Sequence, residues 1–203
     1  RILGEDTKKT QMYQSEAKRK EAKINSLNLD DYIASLDMYV DVHRMRPEEL
    51  ERTAQLCGKT NQFNLTTKRY TVEEIASIAK KSDSAVYVVH VTDKYGDSGL
   101  ISVIILAEEQ SNVRIDTFLM SCRVMGRKLE DVIMNEIASR YSEKENLIGE
   151  YKPTEKNVPV KNLYERLGFK LLSENDGCKI YQLSIKGYEK KKFEIYKEVH
   201  FSD

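Results

Sequence analysis

Cys122 closes the strand-like run IDTFLMS, and Arg123, Val124, Met125, Gly126, Arg127 and Lys128 follow before LEDVIM reopens as an amphipathic helix. A thiol flanked by arginine and close to a helix start suits nucleophilic chemistry, because the thiolate is the reactive form and positive surroundings favour it. The same strand–loop–helix connection can seat an anion. The first N–H groups of a helix have no intrahelical partner, and the helix dipole adds to their pull. Gly126 lets a ligand approach the backbone, and Arg123 and Arg127 can add charge-assisted contacts. Phosphate or pyrophosphate is the ligand implied; a tight turn with solvated arginines is the alternative.

Three carboxylates are candidates to take a proton or orient a ligand. Asp116 and Glu150 fall on two strand-like runs, VRIDTFLM and LIGEY, while Asp97 sits in a Gly-Asp-Ser-Gly turn where a structural role competes. Asn61, Gln62, Asn64, Thr66 and Thr67 crowd amides and hydroxyls into one loop. Such a loop can hydrogen-bond a small hydroxylated acyl group, or simply cap helices and turns.

The elements that must position these residues can be read from periodicity. Pro47 suits the first turn of a helix through RPEELERTAQLCGKT, and Thr71 with Glu74 has the spacing of a capping box for TVEEIASIAKK. AVYVVHVTD and LISVIILAEE flank a hairpin, and VRIDTFLM is the next strand. After the loop, Leu129, Val132, Ile133, Ile137 and Tyr141 share one helical face. LIGEY is a short strand, NVPVKNLYERLGF a helix, and KLLSE with CKIYQLSI a closing hairpin around Asn175-Asp176-Gly177. The fold class expected is α/β, a mixed sheet with helices on its faces. Residues 30–186 are expected to form the domain, with 1–29 a helix or linker and 187–203 a charged extension.

Composition bounds the function. The 203 residues carry 33 basic and 33 acidic side chains, a balance that argues against a dedicated nucleic-acid or membrane-surface protein. Three cysteines, Cys57, Cys122 and Cys178, without CxxC spacing predict neither a disulfide framework nor a metal site, and point to a reducing cytoplasm. The chain opens on Arg1, as expected of a piece of something longer.

The loop Arg123–Lys128, followed by LIGEY, Asn157 and the helix end Tyr164-Glu165-Arg166-Leu167-Gly168-Phe169, resembles the GNAT acyltransferase fold. The resemblance implies an acyl-CoA or phosphopantetheine thioester whose phosphates rest on the loop and whose pantetheine arm slides between two splayed strands. On that reading Phe118, Leu119, Met120, Arg123, Val124, Gly126, Arg127, Lys128 and Asn157 bind the cofactor. Tyr164 would be the acid for the departing thiolate, with Cys122, Asp116 and Glu150 as the other catalytic candidates. Lys128 stands where that family has Gly or Ala. Four blocks, KTNQFNLTTKRYT, DKYGDSGLISV, IDTFLMSCRVMGR and GEYKPTEKN, resemble more narrowly the C-terminal domain of FkbH-like proteins of HAD-superfamily subfamily IIIC. That resemblance implies loading of a glyceryl unit onto an acyl-carrier protein for methoxymalonyl extender units in polyketide synthesis. It makes the carrier and a preceding HAD-like domain the partners, and Asn61, Asn64, Thr66 and Asp97 the substrate contacts. His43, His90 and His200 fall outside these blocks, so no Cys–His dyad is expected. Plain acetyl-CoA-dependent N-acetylation and a non-catalytic carrier-docking module are the alternatives.

Overall fold

The computed structural model describes residues 2–192 and 194–203. Helices α1 (Ile2–Ile24) and α2 (Leu29–Ser35) precede strand β1 (Tyr39–Arg44). A tight turn at Pro47–Glu49 feeds α3 (Leu50–Lys59), and a two-residue strand β2 (Phe63–Asn64) and α4 (Val72–Lys80) follow. Then come β3 (Ser84–Asp93), β4 (Gly96–Glu109), β5 (Asn112–Met120), α5 (Leu129–Arg140) and β6 (Asn146–Tyr151). The chain ends with α6 (Leu163–Arg166), β7 (Lys170–Asn175), β8 (Cys178–Ser184) and β9 (Glu198–Ser202). The capping box read at α4 forms: the Thr71 hydroxyl accepts from the Glu74 amide, and the Glu74 carboxylate accepts from the Thr71 amide, both at 3.2 Å.

The strands make one sheet in the order β7-β8-β6-β5-β4-β3-β1-β9, with β2 added to β5. Pairing is antiparallel except for β5 with β6 and β1 with β9. Alternation along β3 shows both faces buried. Tyr87, Val89 and Val91 enter a larger core with Ile33, Ile133 and Leu163, whereas Val86 and Val88 enter a smaller one with Leu56, Cys57 and Ile75.

Sequence and structure part company at three places. The helix expected over NVPVKNLYERLGF is a single turn at Val158–Val160 and then the four-residue α6. Pro159 has no N–H to donate, and Asn162 sits at φ −110, outside helical geometry. The described residues of 187–203, read as a charged extension, are built into the domain. The Tyr188 hydroxyl donates to Asn135 Oδ1 at 2.6 Å, Lys191 pairs with Asp131, the Tyr196 hydroxyl donates to the Arg127 carbonyl, and β9 runs beside β1. This covering explains why α5 buries Glu130, Asp131 and Asn135 as well as its apolar stripe. The N-terminal segment is tied in too. From α1, Arg19 is buried and reaches Asp93 at 2.8 and 3.0 Å, and the Ser15 hydroxyl donates to the Tyr95 carbonyl at 2.6 Å.

Candidate active site

The site is set by where β5 and β6 part. Their parallel pairing runs from Asn112↔Asn146 to Ile115↔Gly149 and then stops. At that point β5 carries a bulge: Leu106 faces Ile115 and Ile105 faces Thr117, so Asp116 has no partner across the pair. A bulge bends its strand, and β5 continues to Met120 unpaired with β6.

The gap so opened holds the chain's own segment Phe63–Thr66. Phe63 pairs with Met120 and Asn64 with Leu119. The Leu65 amide donates to the Phe118 carbonyl at 3.1 Å, and the Thr66 hydroxyl to the Asp116 carbonyl at 2.9 Å. On the other side, the Lys152 amide donates to the Leu65 carbonyl at 2.9 Å. Phe63, Asn64, Leu65 and Thr66 are all buried, and the Phe63 ring meets Phe118 edge-on at 5.3 Å.

Asn157 locks this segment in place. Its Nδ2 donates to the Asn64 carbonyl at 3.0 Å and the Lys152 carbonyl at 2.8 Å. Its Oδ1 accepts from the Thr154 amide at 2.7 Å and the Tyr151 hydroxyl at 3.2 Å. Asn157, read as a cofactor contact, therefore has its side chain fully engaged within the chain. Asn64 and Thr66, read as substrate contacts, are likewise consumed: Asn64 Nδ2 donates to the Thr60 carbonyl at 3.2 Å, and Oδ1 accepts from the Thr67 amide at 2.9 Å. The side chains of Phe118, Leu119 and Met120 lie wholly in the two cores.

The carboxylates separate by environment. Asp116 accepts from Lys68 at 2.6 Å, Arg114 at 2.8 Å, the Tyr70 hydroxyl at 2.8 Å and the Thr117 hydroxyl at 3.1 Å. Burial pushes its carboxyl up, but hydrogen bonds from Lys68, Arg114 and Tyr70 outweigh it and hold the group below its ordinary value. A carboxylate so satisfied is a poor proton acceptor, which corrects its reading as a base. Asp97 Oδ1 lies 2.8 Å from His90 Nε2 and accepts from the Gly99 amide at 2.7 Å, away from the gap. Glu150 stays partly exposed, with Lys152 Nζ at 3.7 Å.

Tyr164 lies against the point of divergence. A Cβ at Gly149 would stand 2.8 Å from its Cε1 and Cζ, so the ring rests on the bare backbone of β6. The hydroxyl is buried without a hydrogen-bond partner among the described residues, and burial, then Glu150, raises its pKa above the ordinary tyrosine value.

Past Met120 the loop turns outward. Cys122 is exposed, in a single turn Cys122–Val124 whose Val124 and Met125 amides bond back to Ser121 and Cys122. The next amides, of Gly126, Arg127 and Lys128, have no partner among the described residues. Gly126 sits at φ +80 with open space around it. Lys128 adopts φ 59, a left-handed conformation costly for a side chain with a Cβ, and its ammonium meets Asp30 at 2.6 Å. Arg127, read as a phosphate contact, turns inward: it is buried, donates to the Arg123 carbonyl at 3.1 Å, and lies 3.8 Å from Asp93. Val124 is buried in the larger core. Arg123 remains half-exposed, its guanidinium 3.4 Å from the Ser98 carbonyl.

Lys59, which the sequence reading missed, completes the mouth, while Arg52 on the same helix donates to Gln55 Oε1 at 2.7 Å and the Leu100 carbonyl at 3.5 Å. Lys59, Asn61, Gln62, Cys122 and Arg123 line one cavity of about 390 Å³. Burial, then Arg52 and Arg123, depress the Lys59 ammonium, while Cys122 acts the other way. Burial and then Arg123 lower Arg52 as well. Among the described residues none of these three cations has a carboxylate within ion-pair distance. Positions 52 and 59 are seven apart, two helical turns, so the signal was present in the sequence as one face of α3. Asn61 faces this mouth with its Oδ1 held by Arg69.

A mixed sheet that splays between two parallel strands, with an amide-bearing loop leading into the next helix, is the GNAT acyltransferase fold. Solved structures share it at low identity. A domain from Methanocaldococcus jannaschii aligns with a TM-score of 0.58 at 13% identity, covering 73% of this chain and 99% of that one. An acetyltransferase from Thermus thermophilus gives 0.56 at 11%, covering 73% and 99%. PaiA N-acetyltransferase from Thermoplasma acidophilum, solved in complex with coenzyme A, gives 0.56 at 13%, covering 71% and 98%. No family profile and no curated protein matches the sequence.

Proposed function

We propose that this chain is an acyltransferase domain of the FkbH-like kind. It moves a small acyl group, glyceryl on the resemblance, to or from the phosphopantetheine thiol of an acyl-carrier protein. The observation that carries this reading is the exposed Cys122 thiol in a cavity shared with Lys59 and Arg123, neither of which has a carboxylate within ion-pair distance among the described residues. The GNAT fold supports acyl transfer as the reaction class.

Deprotonated Cys122 Sγ attacks the donor carbonyl. A carbon–sulfur bond forms while the bond to the leaving phosphate or thiolate breaks, and Lys59 and Arg123 supply positive charge beside the developing anions. The acceptor thiol, giving its proton to solvent, then attacks the same carbonyl, carries off the acyl group and returns Cys122 as thiolate. Intact-mass measurement of a carrier incubated with the full-length enzyme and 1,3-bisphosphoglycerate should show a glyceryl gain that Cys122→Ala abolishes. A carrier left unloaded with every acyl donor offered overturns the reading. A second reading, direct N-acetylation from acetyl-CoA, draws on the free amides of Gly126, Arg127 and Lys128. It predicts coenzyme A binding and amine acetylation that Cys122→Ala leaves intact.

A further inference from the structure

The GNAT fold implies a thioester arm lying between β5 and β6. The residues of this chain do not fit one there. The β5 edge that faces β6 is already used: the Asp116 and Phe118 carbonyls accept from Thr66 and Leu65, and Leu119 and Met120 pair with Asn64 and Phe63. An arm entering the gap would have to expel Phe63 and Leu65, both buried in the larger core, and break the bond from Asn157 to the Asn64 carbonyl. Below them the Tyr164 ring lies on Gly149 with no space for even a methyl group. So deeply seated a segment is an integral strand rather than a lid.

The mouth has the opposite character. The cavity beside Cys122 is open and lined by Asn61, Gln62 and Lys59, with Arg123 completing its cationic rim. Among the described residues neither Lys59 nor Arg123 has a carboxylate within ion-pair distance, so their charge is available to the oxygen of a thioester carbonyl.

We propose that Phe63–Thr66 permanently occupies the strand position that the fold implies for a thioester arm, and that the thioester end of a phosphopantetheine arm is received at the mouth instead, beside the Cys122 thiol. The proposal rests on the acyl-transfer reading above and gives that site its mode of substrate entry.

The test uses the whole chain with free 4′-phosphopantetheine as probe, read by calorimetry and by amide hydrogen exchange. Binding should weaken about tenfold or more in Gln62→Trp, whose ring would fill the mouth that the exposed Gln62 lines. The Leu65 and Lys152 amides, which bond the segment to both neighbouring strands, should keep their protection in the complex. Loss of that protection on binding would mean that the segment is displaced and would overturn the proposal. Binding indifferent to Gln62→Trp, or absent, would overturn it too. Carrier loading followed by mass in the same preparations separates the two claims: loading that persists leaves the transferase reading standing while mouth entry fails.

Discussion

Asn157→Ala tests whether the segment between the strands is held as described. The side chain is fully buried and makes four hydrogen bonds, two donated to the Asn64 and Lys152 carbonyls and two accepted from the Thr154 amide and Tyr151 hydroxyl. At about 1 kcal/mol net for each, the loss is roughly 4 kcal/mol. That is a large part of the total stability of a domain this size, typically about 5–15 kcal/mol. Urea unfolding should show the midpoint falling by a corresponding amount, with an unchanged slope if the native state stays compact. Hydrogen exchange should show the Leu65 amide opening before the β3–β4 amides do. Asn157→Asp is the control: its carboxyl keeps the two acceptor bonds, but it can donate to a carbonyl only when protonated, so part of the stability should return at acid pH. A stability change below about 1 kcal/mol for Asn157→Ala would refute the latch, because the buried Asn64 carbonyl and Tyr151 hydroxyl cannot lose their partner so cheaply.

Three other outcomes follow from the same geometry. Gly149→Ala places a methyl 2.8 Å from the buried Tyr164 ring and should cost about 1–3 kcal/mol of overpacking, seen as a lowered melting temperature; an unchanged melt contradicts the contact. Asp116 has a depressed folded-state pKa, so its contribution is complete above the unfolded value near ~3.9 and is lost as pH falls through the folded value. Asp116→Asn should therefore lower stability at neutral pH and flatten the acid limb of a stability–pH curve, whereas an unaltered acid limb would discount the cluster with Lys68, Arg114 and Tyr70. Iodoacetamide at neutral pH should label Cys122 and spare Cys57, whose thiol is fully buried and pushed up to about 11 by that burial. Equal labelling of both would contradict the packing of α3.

What could be read from sequence was what local pattern dictates. The alternation in β3, the capping box at Thr71 and Glu74, the stripe of α5 and the strand–loop–helix around Cys122 are each specified by residues a few positions apart. What could not be read depended on long-range closure. Asn61–Thr67 looked like a ligand-binding loop because its amides and hydroxyls are the same groups that hold an irregular segment inside a sheet. Composition does not distinguish the two uses; only the partners across some fifty or ninety positions do, as for Thr66 with Asp116 and Asn157 with Asn64. Arg127 misled for a similar reason: an arginine beside a glycine suggests phosphate, yet Asp93, buried and already bonded to Arg19, lies beneath it. The tail 187–203 was read only as a charged extension because covering the polar face of α5 needs Tyr188, Lys191 and Tyr196 rather than an apolar period.

The account as a whole turns on whether the acyl group passes through the exposed thiol. The most direct measurement is rapid acid quench of the enzyme with its acyl donor, followed by peptide mass mapping before and after carrier is added. The expected result is an acyl increment on the peptide containing Cys122 that disappears as the carrier gains the same mass. A carrier that becomes acylated while Cys122 stays unmodified at every time point, with Cys122→Ala equally active, would contradict it.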